Sequence, residues 1–194
     1  MDITIKNAII VLKKYLEKNN YDKFEHCIRV AHVSKFLAKK FGVNVEDAII
    51  VALLHDIGKH LSRREMLQFC MQNNIEVYDF EIFENPTALH GKISVCIFEK
   101  EFDTKKEPER ATLISHAISY HVAGGEDKMT MLDKIIYVAD NIEPAKNSSL
   151  LSKIESDEIT DINDCIRLII NKKIHNSKRH NRTCNPFTDI TLDN

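Results

Sequence analysis

Tryptophan is absent, and only five glycines and four prolines are spread over 194 residues. So little turn chemistry excludes a chain of many short strands joined by tight turns. Cysteine occurs five times, at positions 27, 70, 96, 165 and 184, an odd number with no Cys-x-x-Cys spacing. That excludes a disulfide framework and a zinc knuckle, and reads as reduced thiols in a cytoplasmic protein. No apolar run approaches the ~20 residues needed to span a bilayer. The N-terminus MDITIKNAII has neither a basic n-region nor a small-residue cleavage site, so no signal peptide is expected. Neither sign of charge dominates: 27 Lys plus Arg stand against 29 Asp plus Glu, a formal net charge of −2. Nothing in that balance draws the chain to nucleic acid or to an anionic membrane.

What is present is a globular composition, 43% hydrophobic and 29% charged. Apolar positions recur at three and four rather than alternating, so the chain reads as all-α. Thr4–Lys18 makes a first helix, broken by Asn19-Asn20. A second runs from about Asp22 to Phe41-Gly42, where glycine is the stop. Asn44 caps a third, which ends at His55-Asp56 with Gly58 as the C′ residue. Ser62 with Glu65 is a capping box for a helix through about Asn73. Asn74 to Pro86 shows no periodicity and reads as a loop beside the site. Thr87 is expected to cap a helix reaching about Phe102, Pro108 to open one reaching about His121, and Gly124-Gly125 to turn the chain. Thr130 and Asp133 cap Met131–Ile142, which Pro144 ends, and a last amphipathic helix covers about Asp161 to Lys173. The expected organisation is one domain over residues 1–176 and a frayed polar tail over 177–194.

The most informative feature is His55-Asp56, at the end of the apolar run Ile49-Ile50-Val51-Ala52-Leu53-Leu54. Around it stand His26 upstream, His90 and His121 downstream, and Asp140 at the end of a second apolar stretch. Imidazole suits Fe, Zn, Ni or Co, and carboxylate also suits Mn and Mg, so the set is a ligand set for an open metal site. Adjacent ligands at 55 and 56 cannot share one helical face, and Gly58 supplies the freedom to redirect one of them. An unpaired Asp140 in a buried helix would cost several kcal/mol, so a partner is expected.

The order His…His-Asp…His…His…Asp resembles the HD superfamily of metal-dependent phosphohydrolases. The resemblance narrows over residues 21–146 to the YqeK-type symmetrical bis(5′-nucleosyl)-tetraphosphatases. It rests on the helix with His26, on LLHDIGK ending at Lys59, on LHG at 89–91, and above all on AISYHVAGGEDKMTMLDKIIYVADNIEPAK ending at Lys146. It implies an all-α HD-domain helical bundle and a metal, expected to be iron as one or two ions (Mn, Co, Ni or Zn as alternatives), held by His26, His55, Asp56 and Asp140. It implies diadenosine tetraphosphate as substrate, split to two ADP when metal-bound hydroxide attacks a phosphorus. Asp56, His90 and His121 are then the catalytic set. Lys23, Lys59 and Lys146, with His26, His90, His121 and Asp140, border the polyphosphate, and a homodimer is expected. Where the family shows Arg, this chain has Lys23 and Lys146, which keep the charge and lose bidentate geometry.

His90 and His121 remain open between polyphosphate contact or proton donor, second-metal ligand and structural histidine. His32, His60, His116, His175 and His180 read as structural or surface histidines. The basic cluster Lys172, Lys173, Lys178, Arg179 and Arg182 reads as a solvated face. Glu143 reads as a local cap or pair, and Cys27 as core beside the site. Rival functions are another HD-domain nucleotide phosphohydrolase, either a 5′-nucleotidase or a phosphodiesterase, and a non-catalytic nucleotide-binding module. The cyclic-dinucleotide phosphodiesterase version carries Gly-Tyr-Pro after its HD motif, and this chain has none.

Overall fold

A computed structural model of the chain describes residues 1–83, 85–122 and 129–179. Among the described residues there is no strand, and the α-helices are α1 (Ile5–Leu12), α2 (Tyr21–Phe41), α3 (Val45–Leu54), α4 (Arg63–Gln72), α5 (Asp79–Phe83), α6 (His90–Glu101), α7 (Pro108–Tyr120), α8 (Met131–Ile142), α9 (Pro144–Glu155) and α10 (Ile162–Arg179). The fold is an all-α bundle, as the periodicity predicts.

Most boundaries follow local capping. Asn20 receives the Lys23 N–H and starts α2, whose end is Gly42 in the left-handed region at φ 70°. Asn44 accepts from Glu46 and Asp47 at the start of α3. Ser62 with Glu65, and Thr130 with Asp133, form complete capping boxes.

The departures are physical. The first predicted helix is α1 followed by a π turn over Lys13–Glu17. The segment read as a loop holds the short α5 and a 3-10 turn, Pro86–Leu89. Thr87 lies inside that turn, where its hydroxyl donates to Asn85 Oδ1 instead of capping α6. Pro144 ends α8 and also opens α9, its missing N–H falling where a helix needs none. The last helix continues to Arg179. Gly124-Gly125 and residues 180–194 of the expected tail lie outside the described residues.

Gly58 is corrected too. It sits in a 3-10 turn, Ile57–His60, and Gly42 alone among the described glycines has positive φ. What requires glycine at 58 is proximity: a Cβ there would lie 2.5 Å from the His90 carbonyl oxygen.

α8 is the central element, packed against α2, α3, α7, α9 and α10. Its Ile135, Ile136, Val138 and Ala139 are fully buried, together with Val51 and Leu54 of α3 and Val30 and Leu37 of α2. Burial of this apolar surface, at ~25 cal/mol per Å2, is what fixes the three helices that carry most of the site.

Candidate metal centre

His26 comes from α2, Asp140 from α8, and His55-Asp56 from the end of α3. His90 stands where the 3-10 turn passes into α6, and His121 just beyond α7. The fold brings all six side chains to one place. Five are buried, and the Asp140 side chain is 15% exposed.

Three of the four histidines occupy the same local position. His55, His90 and His121 are each the C-cap of the preceding helix or turn, and each directs Nδ1 at the carbonyl three residues back, in Ala52, Thr87 and Ile118. Carbonyls in a last helical turn have no intrahelical partner. A carbonyl only accepts, so Nδ1 carries a hydrogen in each, and whenever the ring is neutral Nε2 presents a lone pair. His26 reaches the same tautomer differently: its Nδ1–H faces Glu143 Oε1 at 3.3 Å, and the carboxylate accepts.

The four Nε2 atoms converge on the two aspartates. His26 Nε2 lies 2.9 Å from Asp140 Oδ1 and 3.7 Å from Asp56 Oδ2. His55 Nε2 lies 3.6 Å from Asp56 Oδ2 and 3.7 Å from Asp140 Oδ1. The other oxygen of Asp56 faces the second pair, 3.1 Å from His90 Nε2 and 3.4 Å from His121 Nε2. One carboxylate thus joins two half-sites. The groups His26–His55–Asp140 and His55–Asp56–His121 each present their ligand atoms within 4.8 Å of one another.

This arrangement fits a cation. The buried His26 Nε2 and His55 Nε2 have no well-formed hydrogen bond among the described residues, and buried polar atoms are rarely left so. Nε2 of His90 and of His121 face each other at 2.9 Å, lone pair toward lone pair. Burial holds the His121 pKa down at about 3, and burial lowers that of His90 as well, so a proton does not reconcile them at neutral pH. Burial also opposes ionisation of Asp56, but His55, His121 and His90 outweigh it and keep its carboxyl well below the usual range. Asp140 behaves alike: burial is outweighed by His26, His55 and Lys146. Burial works against a His55 cation, yet Asp56, Cys27 and Asp140 raise its pKa well above the ordinary value. A metal ion would take over the charge-balancing that this proton performs.

The lysines divide. Lys59 Nζ sits 2.8 Å from Asp56, and Lys146 Nζ 2.7 Å from Asp140. Lys23 is on α2 three residues before His26, but its side chain has no hydrogen bond or ion pair among the described residues. His116 lies outside the cluster, paired with Asp133 at 2.9 Å and stacked on Tyr120.

Two side chains that sequence reasoning undervalued support the centre. Glu143 is 1% exposed and does more than cap Ala145, because its carboxylate also faces His26 and accepts from Arg29 Nε at 2.8 Å. Arg29, one turn after His26, is the second. Its signal is the (i, i+3) spacing to a candidate ligand.

Residues 24–145 match the family described as HD domain. The chain is 27% identical over 188 residues to the symmetrical bis(5′-nucleosyl)-tetraphosphatase of Bacillus subtilis (strain 168), covering 97% of this chain and 95% of that one. It is 30% identical over 148 residues to the protein of the same name from Staphylococcus aureus (strain NCTC 8325 / PS 47), covering 74% and 69%. Its fold is similar to that of a crystal structure from Clostridium acetobutylicum, titled a predicted HD superfamily hydrolase involved in NAD metabolism. The TM-score is 0.79 at 23% identity, with 97% and 94% of the two chains covered. With the matched segment containing His26, His55, Asp56, His90, His121 and Asp140, the chain belongs to the HD domain family.

Proposed function

We propose that this chain is a metal-dependent hydrolase that cleaves diadenosine tetraphosphate symmetrically to two ADP. The observation that carries the reading is the convergence of four Nε2 atoms on Asp56 and Asp140. The relatives named as symmetrical tetraphosphatases, at 27–30% identity over most of the chain, supply the substrate class.

His26, His55, Asp56 and Asp140 would hold the first ion. Asp56 Oδ1 with His90 and His121 would hold a second. The nitrogen and oxygen donors suit iron, with Mn, Co, Ni or Zn as alternatives. A bound ion supplies Lewis-acid polarisation of a phosphoryl oxygen and activation of water.

The protein's own groups do the rest. Glu143 and the three helix-end carbonyls keep the rings turned inward. His90 and His121, unprotonated at neutral pH, act as lone-pair donors, which disfavours the proton-donor role for them. Lys59 and Lys146, at opposite carboxylates, offset the roughly four negative charges of a tetraphosphate. Lys23 extends that positive border along α2. The domain takes in residues 1–176, and the protein works as a homodimer in the cytoplasm. Exposed Ile10 of α1 and Leu168 of α10 are apolar side chains a dimer would cover. Among the described residues no helix is long and apolar enough to cross a membrane.

The test is hydrolysis of diadenosine tetraphosphate by anaerobically iron-loaded protein, with products resolved by ion exchange and Asp56→Ala run beside it. ADP as sole product, lost in the variant, is expected. ATP plus AMP would overturn symmetric cleavage. No turnover by the metal-loaded protein would redirect the reading to mononucleotides.

A further inference from the structure

We propose that the cleft between α8, α9 and α10, beside Asp140, is a phosphate-chain subsite that takes one diphosphate half of the substrate, with Lys172 and Lys173 of α10 as its cations. The proposal rests on the reading of the site as one for a dinucleoside polyphosphate, and it adds residues from an element that carries none of the candidate metal ligands.

The cleft measures about 190 Å3 and is lined by Lys146, Lys172 and Lys173, with Asn141, Asn147 and Asn176. Ile169 completes the lining among the described residues, and none of these is a carboxylate. Three ammonium groups and three carboxamides without an acid form a surface for an oxyanion. Size narrows the choice. Sites for whole drug-sized ligands run about 300–1,000 Å3, so this cleft suits a short phosphate segment and not an entire nucleotide.

Position ties it to the metal centre. Asn141 is the next residue after Asp140, and Lys146 Nζ bridges from the cleft to Asp140 Oδ1 at 2.7 Å. That oxygen is also the one 2.9 Å from His26 Nε2. A cation on it would weaken the hold on Lys146 and leave that ammonium to the cleft. Lys59 stands at the other carboxylate. A phosphate chain centred on the aspartates therefore meets a lysine at each of them.

Lys172 and Lys173 are both exposed, as a solvated face would be, but Lys173 also makes a directed contact. Its Nζ donates to the Tyr137 hydroxyl at 3.2 Å and lies 4.5 Å over that ring. Tyr137 is buried on α8 one turn before Asp140, so this contact ties the ammonium to the helix that carries Asp140. Neither Lys172 nor Lys173 has a carboxylate partner within ion-pair distance among the described residues. The backbone cooperates at Asn147, whose non-helical φ −160°, ψ 69° interrupts α9 directly after Lys146.

The experiment uses the full-length, metal-loaded protein as wild type, Lys172→Ala/Lys173→Ala, Lys173→Arg and, as a distant control, Lys153→Ala. Two quantities are read: kcat and KM with diadenosine tetraphosphate, and calorimetric affinity for inorganic triphosphate, which needs no turnover. The double variant is expected to raise KM and the triphosphate Kd roughly tenfold, equivalent to about 1.4 kcal/mol, with kcat within about twofold. Lys173→Arg should restore most of the affinity, and Lys153→Ala should match wild type. Unchanged KM and Kd in the double variant overturn the subsite, and so does a fall in kcat at constant KM. If wild type does not cleave the dinucleotide but the double variant loses triphosphate, the subsite stands and the substrate assignment falls. If wild type cleaves it and triphosphate binds both proteins equally, the subsite alone falls.

Discussion

Replacing Gly58 with alanine should disturb both stability and catalysis, because the added methyl has nowhere to go. Its Cβ would meet the His90 carbonyl oxygen at 2.5 Å, the His90 Cα at 3.1 Å and the Ile93 Cβ at 3.1 Å. Ordinary contact begins near 3.4 Å, so the two backbones must part by about 0.9 Å. No rotamer change relieves a clash with backbone, and the Gly58 N–H is held by Ser94 Oγ at 2.9 Å. Overpacking of this kind costs about 1–3 kcal/mol. Taking about 2 kcal/mol, a protein of this size should melt roughly 4–8 °C lower. The displaced residue is His90, whose Nε2 stands 3.1 Å from Asp56 Oδ1. A shift near 1 Å at a reacting centre can cost about a hundredfold in rate. Gly91→Ala is the control. There the nearest atom, at 2.8 Å, is Val122 Cγ2, the end of a side chain that can turn away, and the nearest backbone oxygen is at 3.3 Å. Its cost should stay under about 1 kcal/mol. Thermal melts and kcat on both variants decide the matter. A Gly58→Ala protein with unchanged Tm and kcat, or a Gly91→Ala protein equally damaged, would refute the close-approach argument.

Three further outcomes are expected. Glu143→Gln removes the charge that holds His26 Nδ1 and Arg29, so metal affinity should fall about 10–100-fold. Competition against a chromophoric chelator measures it, and unchanged affinity would count against a supporting role. In chelator-treated protein, Asp140→Asn should cost stability that depends on pH. The folded carboxyl titrates well below its ordinary value, so its contribution is full above pH ~4 and fades as pH falls through the folded pKa. Denaturation from pH 7 to pH 3 should show the gap to wild type closing, and a constant gap would contradict the linkage. Burial pushes the thiols of Cys70 and Cys165 up to about 11 and raises that of Cys27. Burial raises the Cys96 thiol too, but Cys96 is only half-buried, so alkylation mapped by mass spectrometry should label it well before these three, and rapid labelling of Cys27 would contradict the burial of the site.

Legibility in the sequence followed the range of the interaction. Asn44, Ser62 and Thr130 cap helices through atoms two or three residues away, so those boundaries could be read directly. Periodicity placed α2, α3 and α8, the helices that carry His26, His55 and Asp140. A five-residue helix such as α5 is too short for a period to register, and its segment read as a loop. Pro144 was legible as a terminator, but its equal aptness for a first helical turn concealed α9. Gly58 was recognised as necessary for the wrong reason, because its neighbour His90 is 32 positions away and only the fold brings them together. Glu143 was underrated on the same account, since His26 lies 117 positions before it. Lys172 and Lys173 are exposed, as the sequence suggested, but that they also border the cleft beside Asp140 depends on how α10 lies against α8, and no local signal encodes that.

The three helix-end histidines have a consequence beyond this site. Each ring is steered by a carbonyl of its own last turn, so the aim of Nε2 is set by a stretch of four residues. Tertiary packing then has less left to do. It must carry the ends to a common point, but need not rotate the rings once they arrive. Aim and position are separable here, and a helix finished with histidine behaves as a transferable fitting. Such an end could be moved to another bundle and keep its tautomer, whereas His26, steered by Glu143 from a distant helix junction, could not.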